Sequence, residues 1–151
     1  MGSTMQDNST AQNTAKRFTL AEANAMLPLI RSIVSDIREV FRSVTGRRSD
    51  LHRLLRRNAR TTGQAYADEM AESRADLNEE YDRIWFYREE LESLGAFLRH
   101  PEEGHIEFPT IIDDREGFLS WHAGEDKIMY WRQDGMPLNT RQPIPVVEHL
   151  N

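Results

Sequence analysis

The 151-residue chain has no cysteine. Disulfides, thiolate zinc sites and a cysteine nucleophile are excluded at once. No apolar run approaches the ~20 residues of a membrane span, and the N-terminus lacks a hydrophobic signal core. A cytoplasmic protein with no membrane partner is the expectation. Basic charge is also short: 19 Lys and Arg stand against 25 Asp and Glu, for a net charge of −6. A chain of that sign is not drawn wholesale to nucleic acid or anionic lipid. Gly-rich phosphate loops, a nucleophile elbow and a His-Glu-x-x-His zinc motif are missing too. Hydrophobic residues make up only 38% and charged residues 29%. That balance suits a shape with much surface per core residue, such as a long pair of helices.

What is present has clear periodicity. Residues 1–17, rich in Ser, Thr, Asn and Gln, read as a disordered tail. Residues 18–151 read as one domain, divided into a helical hairpin (18–95) and a β-meander with an extended tail (96–151). Thr19-Leu20-Ala21-Glu22 fits a capping box, with Phe18 in the staple position before it. Ile30, Ile37, Val44 and Leu51 recur by seven along the first helix, a heptad-like, coiled-coil stripe. Pro28 should kink that helix or end a short first segment. Gly46 predicts a second irregularity. Asn58 to Gln64 reads as a loop. Met70, Leu77, Ile84 and Leu91 repeat the seven-residue spacing in a second helix, closed by Gly95 in left-handed conformation. A short loop between helices of similar length makes them antiparallel.

Beyond Gly95 the period changes. Ala96 to Arg99, His105 to Ile112, Phe118 to Trp121 and Lys127 to Arg132 read as short strands, the second interrupted at Pro109. Asp113 to Gly117 reads as a loop and Ala123 to Asp126 as a turn. Pro137, Pro143 and Pro145 extend the tail. The fold class is therefore α+β: a long antiparallel helical hairpin followed by a small antiparallel β-meander of three or four strands. Such a meander must pack one face on the helices. The narrow hairpin core predicts a homodimer through the helices, as a four-helix bundle.

Candidate site residues are few, and each has a bland alternative. Glu22 and Asn24 form a polar pair at the positive end of a helix; capping accounts for Glu22 equally well. His105 and Glu107, two apart, share a strand face, and His122 and Glu125 flank the next hairpin. Glu22, Asn24, His105, Glu107 and His122 are the candidates for acid–base chemistry, and His105, Glu107 and His122 for a divalent metal. The bland reading is solvated polar residues. No other cofactor is predicted. Arg132 and Arg141 are candidate exposed anion contacts. The aromatics Trp85, Phe86, Tyr87, Trp121, Tyr130 and Trp131 read as core or interface before ligand stacking. Arg47, Arg48, Arg53, Arg56, Arg57 and Arg60 make one hairpin end basic. Pairing with Asp68, Glu69, Glu72 and Asp76 on the second helix explains them more simply than phosphate binding, so nucleic acid is not the expected partner.

The opening Phe18-Thr19-Leu20-Ala21-Glu22-Ala23-Asn24, with Pro28, resembles that of an uncharacterised bacterial domain-of-unknown-function family. The resemblance resumes at Ile106-Glu107-Phe108-Pro109, Glu116-Gly117, Phe118-Leu119-Ser120-Trp121, Gly124-Glu125, Ile128, Trp131, Gly135 and Arg141-Gln142-Pro143-Ile144. It spans nearly the whole ordered chain and implies no established activity. Two departures stand out: the family usually has Cys where Ser120 stands and His where Arg132 stands. A family activity that used those groups would be lost here. The acidic residue of the Phe-Pro segment is kept as Glu107.

Two functions of different class follow. The first is a non-enzymatic, dimeric interaction or scaffold protein whose meander meets an unknown protein or small molecule. The alternative is a metal-dependent or acid–base enzyme with its site between the start of the first helix and the β-meander.

Overall fold

The computed structural model describes residues 16–57 and 63–145. Most of the expected tail and of the Asn58–Gln64 loop lies outside them. The chain forms α1 (Leu20–Arg57), α2 (Gln64–Ser93), β1 (Phe97–His100), β2 (His105–Ile112), β3 (Arg115–Trp121), β4 (Tyr130–Gln133) and β5 (Gln142–Pro143). The α+β architecture of hairpin followed by meander is as the sequence reads.

Both helix boundaries follow their local signals. Thr19 N–H donates to Glu22 Oε1 at 2.9 Å, and Glu22 N–H donates to Thr19 Oγ1 at 3.1 Å, the two arms of the capping box. These bonds, backbone first, hold the exposed Glu22 carboxyl below its ordinary range. At the far end of α2, Gly95 has φ +92. Gly95 N–H donates to Glu92 O and Ala96 N–H to Leu91 O, both at 3.0 Å, a Schellman closure. A side chain at Gly95 would strike the Phe18 ring at 2.9 Å. The glycine therefore also seats the staple residue. α1 runs unbroken through Pro28 and Gly46, so of the two outcomes expected at Pro28, a kink or the end of a short first segment, the second does not occur. Pro28 lies on an exposed side of the helix, while Leu27 and Ile30 beside it are buried. Packing of this part of α1 against the sheet holds the helix past its missing donor.

The sheet is a five-stranded antiparallel meander in the order β1-β2-β3-β4-β5, one or two strands more than expected. Three strand limits also move. The expected Asp113–Gly117 loop is a two-residue turn: Ile112 pairs with Arg115, and Asp113 and Asp114 take φ 52 and φ 62. That geometry is the twist-matched type I′ connection. Lys127 to Met129 lie outside β4, which begins at Tyr130. Pro109 does not interrupt β2. Its carbonyl accepts from Phe18 N–H at 2.7 Å, so its ladder groups point away from β3. On that side β1 has already ended, with Phe97 opposite Glu107, and no strand needs the donor that proline lacks.

Alternation along the strands sorts the sheet into two faces. Ile106, Phe108, Ile112, Leu119, Trp121 and Trp131 face the helices and join Phe18, Leu27, Ile30, Ile37 and Leu91 in one core. Along the hairpin a second, thinner cluster has Val40, Val44 and Leu77 as its buried members among the described residues. Ile30, Ile37 and Val44 of the first heptad stripe are buried, as are Met70, Leu77 and Leu91 of the second. Tyr81, Trp85 and Phe86 are not.

Candidate functional site

The side of the sheet away from the helices is polar, yet much of it is buried. Register brings the residues together. Glu107 pairs with Phe97 on one side and Ser120 on the other. Ser120 pairs with Tyr130, and Phe118 with Arg132. Residues two apart on a strand share a face, so His105, Glu107, Phe118, Ser120, Tyr130 and Arg132 lie on this outer side, and Arg99, at a break in the β1–β2 register, reaches it through Glu107 and Phe118. His105, Glu107, Ser120 and Arg132 are each buried there.

Glu107 is the centre. Arg132 donates through Nε to Oε2 at 2.9 Å and through Nη2 to Oε1 at 2.7 Å. Arg99 Nε adds a bond to Oε1 at 2.8 Å. Burial pushes the Glu107 carboxyl up, but the bonds and charges of Arg132 and Arg99 outweigh it and hold the group below its usual range. Arg132 also reaches Met136 O at 2.6 Å, tying the segment after β4 to the cluster. Both guanidiniums lie over the Phe118 ring, 5.0 Å (Arg99) and 4.9 Å (Arg132) from its centroid. Stacking on an aromatic face favours a cation there.

A second group sits beside it. His105 Nε2 lies 2.8 Å from Ser120 Oγ and 3.6 Å from Glu107 Oε2, the second too long for a hydrogen bond. Arg141 Nε donates to Ser120 Oγ at 2.9 Å and its Nη2 to Glu125 Oε1 at 2.7 Å. The His122 ring packs against His105 with centroids 4.3 Å apart. Burial, then His122, lowers the His105 pKa to about 4. Burial, then Arg141, lowers that of His122 as well. Both rings are therefore neutral near pH 7. His122 Nε2 is buried and has no hydrogen-bond partner. One ligand atom each from Glu103, His105 and His122 lie within 4.8 Å of one another.

The sequence candidates divide accordingly. His105, Glu107 and His122 converge on the outer face. Glu22 and Asn24 do not join them: Glu22 caps α1, and Asn24 Oδ1 accepts from Ile128 N–H at 2.9 Å, pinning the β3–β4 connection on the helix side. The junction between α1 and the sheet, where the sequence reading set the site, is filled by apolar packing, while His105, Glu107 and His122 meet on the outer side of the sheet. Arg132 and Arg141 are not exposed anion contacts. Arg132 is buried on Glu107, and Arg141 is held by Ser120 and Glu125. Glu107 is also a poor metal ligand, since both its oxygens are held by arginines. The basic hairpin end pairs in part as expected: Arg47 meets Asp76 at 3.2 Å and Glu80 at 3.1 Å. Arg53 instead pairs with Asp50 of its own helix.

Sequence reasoning missed Arg99, which shares its face with Phe97 opposite Glu107, and Glu103, which sits in the β1–β2 turn two residues before His105. Ser120 and Arg132, the positions where the resemblance implies a departure, fall within the same cluster.

Among the described residues, no helix is long and apolar enough to cross a membrane. Comparison with curated proteins and with solved structures returns no match. A family model does match, over residues 16–144. The chain therefore belongs to the family described as "Uncharacterized conserved protein (DUF2203)".

Proposed function

We propose that this chain is a non-enzymatic, homodimeric interaction protein, joined through its hairpin and offering the outer side of its sheet to a partner. One observation carries the reading. Trp85 is 57% and Phe86 64% exposed on a helix that is otherwise strongly charged. Tyr81, one turn before Trp85, is exposed as well. Aromatic residues at interfaces bury large area at low entropic cost and are favoured as binding anchors. Two adjacent large aromatics left in water are a costly arrangement for a lone hairpin whose own inner cluster is thin. A second copy offers the same row, and a two-fold axis would set row against row.

Support for the non-enzymatic half comes from the polar cluster. Glu107, which would serve as base, is held as a carboxylate by two arginines. The Ser120 hydroxyl is fully buried and engaged by His105 and Arg141. These groups complete one another and leave no accessible nucleophile paired with a free base, which the acid–base alternative requires. The cluster acts as a rigid polar platform.

Sedimentation equilibrium tests the reading. The native chain should sediment at twice its 17.6 kDa, and Trp85→Glu combined with Phe86→Lys should sediment as a folded monomer. A dilute native chain that is folded and monomeric would contradict it.

A further inference from the structure

We propose that Glu103, His105 and His122 form a divalent transition-metal site of the two-histidine, one-carboxylate type, where the β1–β2 turn meets the end of β3. The proposal stands apart from the dimer, since none of its residues lies on the hairpin.

Three observations carry it. The first is convergence: one ligand atom from each residue lies within 4.8 Å of the others. Bonds of roughly 2.1 Å in a tetrahedral site set ligand atoms about 3.4 Å apart. Glu103 is exposed on a turn and can close the difference by rotating. The second is the buried His122 Nε2 with no partner. Buried ring nitrogens are seldom left unpaired, and a neutral imidazole nitrogen is the commonest protein ligand to a metal. The third is the support behind His105. Its Nε2 sits 2.8 Å from Ser120 Oγ, which Arg141 holds in place at 2.9 Å. In the tautomer whose Nε2–H donates to Ser120, Nδ1 keeps its lone pair free. A ligating histidine is normally oriented in this way, through its other nitrogen.

The backbone fixes the rest. His105 pairs with His100 across β1 and β2. Gly104, at φ +61, packs against Val34 and Ala123 with no room for a side chain. Ala123 N–H donates to Gly104 O at 3.2 Å, which locks the turn carrying Glu103 to the residue after His122. The nearby cation Arg141 is matched by Glu125 at 2.7 Å, so the Glu103 charge is left for the ion. Two imidazoles and one carboxylate suit zinc and its neighbours and not magnesium or calcium. Three protein ligands leave a position open for water or for a donor from a partner.

The test uses the full chain without a polyhistidine tag, stripped with chelator. It is titrated with cobalt(II), read by visible absorption, and with zinc(II), read by calorimetry. One equivalent should bind per chain, with the absorption of low-coordinate cobalt. His122→Ala and Glu103→Gln, each checked for folding by circular dichroism, should weaken zinc binding at least about tenfold, since even supporting groups contribute that much. Glu102→Gln, at the adjacent exposed position, should leave it unchanged. Absence of uptake would overturn the proposal. So would uptake that neither His122→Ala nor Glu103→Gln weakens, or that Glu102→Gln weakens equally.

Discussion

Arg132 on β4 reaches over β3 to the Glu107 carboxylate on β2 and closes a two-pronged ion pair at 2.9 and 2.7 Å, with both side chains buried. The Phe118 ring on the intervening strand supports the guanidinium from below. The pair clamps three strands at one point on the side of the sheet away from α1 and α2.

Removing one partner should therefore be costly. Glu107→Gln leaves the arginine charges facing a neutral amide in a buried site. Breaking such a pair costs about 3–5 kcal/mol, so urea denaturation should show a loss of that order. Replacing both partners together, as Glu107→Leu with Arg132→Met, should cost less than the single change. A Glu107→Gln protein as stable as the native chain would show that the pair contributes nothing.

Acid should weaken the fold in two stages. Burial, then the neighbouring His122, lowers the His105 pKa to about 4, against about 6.5 in an unfolded chain. Between those values the unfolded chain binds a proton that the folded chain refuses. Stability falls as pH drops through that window. Glu107, held below its ordinary range, adds stability that is full above the unfolded carboxylate pKa. That part is lost as pH falls through the lower folded value. Urea midpoints measured in chelator should fall from pH 7 to pH 5, and His105→Gln should flatten that slope. A native midpoint constant across the window would contradict the burial of His105.

The β2–β3 turn should respond to a single glycine. Asp113 and Asp114 hold φ 52 and φ 62, a region that costs residues with a side chain. Asp-Gly is the favoured pair for this turn. Asp114→Gly should raise stability by up to about 1 kcal/mol, read as a higher urea midpoint with unchanged slope. A lower midpoint would mean that Asp114 makes compensating contacts.

The same turn explains what the sequence made legible. The helices were readable because their signals are local: the Thr19–Glu22 box, the seven-residue spacing and the closing Gly95 each act within a few turns. His105 and Glu107 were likewise placed on one face by their spacing alone. Assembly of the cluster depends on register between strands, and register depends on loop length. Reading Asp113 to Gly117 as a loop left Glu107 unmatched to Ser120, and so hid Arg99, Ser120 and the reach of Arg132. Nor does spacing say which face of α2 meets α1. Ile84-Trp85-Phe86-Tyr87 wraps the helix. Only packing shows that Ile84 and Tyr87 approach the inner cluster while Trp85 and Phe86 face water.

Because the chain has no cysteine, one introduced thiol on α2 gives a unique probe of the proposed association. Asp82→Cys lies one turn before Trp85 and Phe86 on their side of the helix. A nitroxide attached there, read by pulsed dipolar spectroscopy, should report a single short distance between labels. That is the expected result for two α2 helices packed at about 8–10 Å between axes, and dilution with unlabelled chain should reduce its amplitude. A labelled, folded protein with no dipolar signal would show that the two aromatic rows never meet, and the dimer would have to be abandoned.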